Sequence, residues 1–146
     1  MSCFGQIWWW RFEMEEDDQS HAEVIIWPAE IVRQLAPVFE MSTTGLAVIL
    51  GMSRHRVWRQ IHRRQSLSAE DQQRVLGAIR VYTAALELCG LVTPEQRAQA
   101  RYWMNDWLRT PRSTLRNQCP LELMRGPKGQ EILVIYLSRI RHGVYT

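Results

Sequence analysis

Apolar positions recur at helical spacing along most of the chain, and no segment alternates at period two over a useful length. The pattern predicts an all-α protein. A first helix starts near Pro28, which suits a first helical position, and carries Ile31, Val32, Leu35 and Phe39. Thr43 or Thr44 can cap a second helix whose core side is Leu46, Ala47, Ile49 and Leu50, and Gly51 supplies the left-handed residue that ends it. Ser53 caps a third, with Val57 and Ile61 on one face. Ser68 and Asp71 form a capping-box-like start for a long helix through Val75, Leu76, Ile79, Tyr82 and Leu86, which Gly90 stops. Thr93-Pro94-Glu95-Gln96 opens the next, with a thick stripe of Ala100, Trp103, Met104, Trp107 and Leu108, and Thr110-Pro111 closes it.

The last third predicts a short helix at Pro120–Met124, a Gly/Pro break, and an apolar helix over 129–140. Ile132, Leu133, Tyr136, Leu137 and Ile140 share one face of that helix, while Val134 and Ile135 fall outside it. A helix this apolar is buried centrally in the monomer or is covered by a second surface, a dimer partner or another protein. Periodicity alone leaves both readings open.

Composition adds few classes and removes several. Hydrophobic residues make up 46% of the 146, with seven Trp, enough for one domain or two small helical units sharing a core. No apolar run approaches the length of a membrane span, and Ile7-Trp8-Trp9-Trp10 lacks the flanks of a signal peptide. Cys3, Cys89 and Cys119 share no ligand-like spacing and leave one thiol unpaired in any disulfide scheme, which favours a reducing cytoplasm. Residues 1–20 are expected to be a tail, either disordered or an over-long start with Met14 as the real initiator.

The net charge of +3 conceals a strong asymmetry. Residues 11–40 carry eight acids against two bases; residues 41–69 carry no acid and five arginines, all within Arg54–Arg64. Helix, Gly turn and Ser-capped helix is the outline of a helix-turn-helix. With Val57 and Ile61 inward, steps of about 100° place His55, Arg56, Arg59, His62 and Arg63 outward. Such a face suits DNA: arginine pairs with guanine edges or phosphates, and Ser53 and Arg54 stand where the helix N-terminus would meet the backbone. The DNA-binding set expected from sequence is Ser53, Arg54, His55, Arg56, Arg59 and Arg63.

At the other end, Gly143 suits the residue just past a helix, and Arg139, Arg141 and His142 favour the helix dipole. Those two effects leave Val144-Tyr145 unexplained. The ordered set Trp107-Leu-Arg-Thr-Pro111, Pro120-Leu-Glu-Leu-Met124, Gly129-Gln-Glu131 and Ile140-Arg-His-Gly-Val144 resembles the toxin-binding domain of Xre/MbcA/ParS-type antitoxins over roughly residues 94–146. The bulk of Trp103, Met104 and Trp107 departs from that pattern. The basic segment, in turn, is similar to the Xre-class helix-turn-helix that usually precedes this domain.

The resemblance implies a helix-turn-helix bundle over 21–90 and a small helical toxin-binding domain over 91–146. It implies as partner a cognate RES-domain toxin that consumes NAD, with the C-terminal segment packed against the toxin and obstructing its active-site entrance. Arg139, Arg141, His142, Gly143, Val144 and Tyr145 are the corresponding toxin-contact positions. Operator DNA, a homodimer and a larger toxin–antitoxin assembly are further expectations, with no cofactor. The rival readings are a stand-alone helix-turn-helix transcriptional regulator with a C-terminal dimerisation domain, and a protein-interaction adaptor whose basic helix never touches DNA. No catalytic constellation is evident: Gly126-Pro-Lys-Gly129 is not a phosphate loop, and His21, His55, His62 and His142 lack partners at metal-ligand spacing.

Overall fold

Periodicity and caps resolve into seven α-helices in a computed structural model that describes residues 27–90 and 93–143. They are α1 (Glu30–Leu35), α2 (Thr43–Ile49), α3 (Arg54–His62), α4 (Ala69–Cys89), α5 (Pro94–Arg109), α6 (Pro120–Leu123) and α7 (Pro127–Arg141), with 3-10 turns at Ala36–Phe39 and Ser113–Leu115. The fold is all-α. The expectations for residues 1–20 and for Val144 and Tyr145 lie outside the described residues. No single described helix is long and apolar enough to cross a membrane.

The first helix does not run unbroken to Phe39. Pro37 has no N–H to continue the α ladder, so the chain tightens into a 3-10 turn and leaves it through Glu40 in the left-handed region (φ 52°). The cap of α2 also differs from expectation: Ser42, not Thr43 or Thr44, takes the role, its Oγ accepting from Gly45 N at 3.0 Å. Gly51 does adopt a positive φ of 76°. At α4 only half of the expected box forms. Ser68 Oγ accepts from Asp71 N at 3.2 Å, but the Asp71 carboxylate turns elsewhere. The box at α5 is complete, Thr93 and Gln96 each bonding the other's backbone N–H.

The chain folds around α4, which lies along both α5 and α7. One apolar cluster takes Phe39, Leu46, Leu50 and Val57 from the first half and Met104, Leu108, Leu133 and Leu137 from the second, so the core continues across residue 90. Each such side chain contributes roughly 1.5–3 kcal/mol on burial. Polar groups then set the register. Arg101, Asn105 and Arg109, one turn apart on α5, donate to the carbonyls of Pro37, Val38 and Phe39 at 2.8, 2.9 and 2.7 Å. They add donors to carbonyls at the end of the 3-10 turn, where its own ladder runs out; Pro37 O also accepts from Glu40 N at 3.1 Å.

The rotation of α7 is fixed by Gln130, which is buried and donates from Nε2 to Arg74 O (2.8 Å) and Met124 O (3.0 Å). Gly77 on α4 leaves the space its amide occupies. This rotation buries Leu133 and Leu137 but leaves Ile132 48% exposed, although periodicity places all three on one face. Periodicity defines a stripe; the Gln130 contacts choose which edge of it turns inward.

Gly129 permits α7 to start so close to α6, because a Cβ there would overlap the Leu123 carbonyl. Gly129→Ala gains about 1 kcal/mol of helix propensity but forces backbone against backbone, an overpacking cost of roughly 1–3 kcal/mol or more. The variant is expected to unfold at lower urea concentration than the wild type. Equal or higher stability would show that α6 and α7 can part without loss.

Candidate functional site

Two surfaces carry the residues singled out in the sequence. On α3, the Ser53 Oγ accepts from Arg56 N at 3.3 Å and starts the helix, while Val57 and Ile61 are buried. His55, Arg59, His62 and Arg63 are exposed, as their angular positions require, and Arg54 is exposed at the helix start although it lies nearer the Val57–Ile61 line. Arg56 is different. Its Nη2 donates to Asp71 Oδ2 at 2.7 Å, and Asp71 is fully buried. Asp71 also accepts from Arg74 Nη1 at 3.0 Å, and Arg74 reaches on to Glu70. Arg56 lies a quarter turn from Val57, toward α4, and so reaches a carboxylate that cannot be left unpaired. Its expected place on the outward face is therefore corrected: half of this side chain serves the fold.

Trp58 lies the same quarter turn from Val57 on the opposite side, and sequence reasoning passed over it. It is 56% exposed, stacked on His62 with ring centroids 4.0 Å apart. With Thr44, Arg54 and His55 it lines an open cleft beside the N-terminus of α2. The available signal was its angle, 100° off the buried line.

The second surface is the outer side and end of α7. Ile132, Ile135 and Arg139 follow at i, i+3 and i+7 on one line, and all three are exposed. Val134 is instead half-buried against the core, and Tyr136 reaches Thr114 Oγ1 at 3.0 Å while tilting on Trp107. Arg141 is tied to Glu87 of α4 at 3.0 Å. Gly143 has a φ of 70° and donates to Ile140 O, and His142 N donates to Ser138 O, so both close the helix as expected. Of the toxin-contact positions named from sequence, the structure thus brings Arg139, Arg141, His142 and Gly143 to one end of α7.

Nothing at either surface has the make-up of a metal site: no group of three or more metal-capable side chains occurs among the described residues. Cys89 and Cys119 are free thiols, and burial pushes the Cys89 thiol above its ordinary value, away from the reactive thiolate.

Residues 91–143 match the family described as the antitoxin Xre/MbcA/ParS C-terminal toxin-binding domain, in line with the resemblance seen in the sequence. The chain is also similar to a protein of Sphingobium sp. (strain YBL2) described as "Prs ADP-ribosylating antitoxin". The two are 28% identical over 82 residues, 56% of this chain and 52% of that protein. The alignment thus spans about half the length of the relative. No solved structure matches the chain.

The two arginines of α3 are expected to separate in a stability measurement. Arg56→Ala removes a charge-assisted hydrogen bond to a buried carboxylate and should cost about 1.5–3 kcal/mol. Arg59→Ala, on open surface, should stay within about 0.5 kcal/mol of wild type. Urea unfolding of both variants checks this, and equal midpoints would mean that Asp71 does not depend on Arg56.

Proposed function

We propose that the protein is the antitoxin of a type II toxin–antitoxin pair. Its C-terminal domain binds and blocks the cognate toxin, a RES-domain protein that consumes NAD. Its α2–α3 unit acts as a helix-turn-helix that binds the operon's own operator. The observation that carries the reading is the family match over 91–143, whose description is a toxin-binding domain. The relative's printed name adds support, since ADP-ribosylation is a chemistry that draws on NAD. DNA binding is supported by the exposed bases of α3 in a segment without acids.

In this reading the toxin contact is a mixed surface, with Ile132 and Ile135 as apolar anchors and Arg139, Arg141 and His142 as a basic rim, continuing into Val144 and Tyr145. The exposed pair of isoleucines is the type of patch that a monomer leaves open for a partner. A homodimer would present two copies of α3 to two half-sites. The chain acts by occlusion and by occupancy of DNA, with no covalent step and no cofactor.

The test is co-expression with the product of the adjacent reading frame, read as growth and as co-purification. Wild type should restore growth. Ile135→Glu combined with Arg139→Glu should melt normally, because both side chains are exposed, yet weaken capture by about 2 kcal/mol or more, roughly 30-fold in Kd. A double variant that still captures the partner and restores growth would remove α7 from the assigned role. Val134→Glu is unsuitable for this purpose, since it would bury a charge in the core.

A further inference from the structure

We infer that Trp58 is a sequence-reading contact, its ring meeting the C5 methyl of a thymine in the major groove of duplex DNA. The inference rests on the DNA-binding reading above and deepens it. Trp58 is the bulkiest side chain in the chain's acid-free basic segment, and more than half of it is open to solvent. It takes no part in the apolar core that Val57 and Ile61 join. Its ring stacks on His62 with centroids 4.0 Å apart, a contact that narrows the rotamer freedom left to lose when a ligand arrives.

The surroundings decide which ligand. Arg54 precedes Trp58 by one turn on the same side of the helix, Arg59 follows it directly, and both are exposed. A ligand for this face is therefore a polyanion that also offers an apolar group between its charges. Duplex DNA has that composition. Its major groove admits one α-helix, phosphates line both rims, and the thymine methyl is the apolar group displayed on the groove floor. The cleft beside Trp58 also opens onto Thr44, near the N-terminus of α2, where a hydroxyl can bond the phosphate of the flanking strand.

Full-length protein would first select duplexes from a random-sequence pool, so that no operator need be known. The enriched duplex would then be measured by fluorescence anisotropy against copies in which each thymine in turn is replaced by uracil, removing one methyl group. For wild type, one replacement should weaken binding about fourfold, the equivalent of one buried methyl group. Trp58→Ala should bind the parent duplex about as weakly as wild type binds that uracil copy, and should lose no further affinity on the replacement. Trp58→Phe should keep part of the methyl dependence. Both variants should melt as wild type does, since the side chain is exposed.

Enrichment followed by no methyl dependence, or the same dependence in Trp58→Ala, overturns this inference and leaves DNA binding standing. A Trp58→Ala variant with unchanged DNA affinity but lost self-association also overturns it, assigning the ring to a protein interface. A pool that is not enriched at all takes down the DNA-binding reading and this inference with it.

Discussion

A carboxylate buried to exclusion of solvent, Asp71, holds two guanidinium groups, Arg56 from α3 and Arg74 from its own helix. Taking such a charge out of water costs several kcal/mol, which only close, well-directed partners offset. α3 is therefore not free to turn on the core. Its rotation is set by an ion pair on one flank and by Val57 and Ile61 beneath, and the exposed face follows from that setting. One turn of α4 serves both halves of the chain: the Arg74 side chain pairs with Asp71, and its backbone carbonyl accepts from Gln130 of α7. The basic helix and the C-terminal helix are thus both fastened to the start of α4.

Consequently, the two candidate surfaces share one support while remaining chemically distinct. The α3 face is cationic with a single aromatic plate. The α7 face is apolar along its middle and basic at its end. The ladder of Arg101, Asn105 and Arg109 on the carbonyls of Pro37, Val38 and Phe39 adds a second seam between the halves. Separating the halves would expose those carbonyls and divide the core that the described residues share.

Much of this was legible in the sequence because it depends on local rules. Caps at Ser53 and Thr93, left-handed glycines at Gly51 and Gly143, and the inward line of Val57 and Ile61 are decided within a few residues. What sequence missed depends on contacts made across the fold. Arg56 looks like Arg59 by charge and by falling outside the inward line, and the placement of Asp71 fifteen positions later separates them. Ile132 looks like a core residue until Gln130 fixes the rotation of α7. Trp58 carries no charge and sits outside both the inward line and the basic stripe, so neither pattern singles it out. The resemblance at the C-terminus carried furthest because it rested on ordered motifs, and some of these have fold-level causes: Gly129 clears the Leu123 carbonyl and Gln130 bonds Arg74 and Met124.

The central claim is that α7 and its end form the surface that captures a toxin. Hydrogen–deuterium exchange on the full chain, alone and with the purified product of the adjacent reading frame, addresses it directly. The account predicts slowed exchange from about Ile132 through Gly143 on addition of that protein, with α3 unchanged by the same partner. Protection confined to α3, or none over α7 despite stable binding, would contradict it.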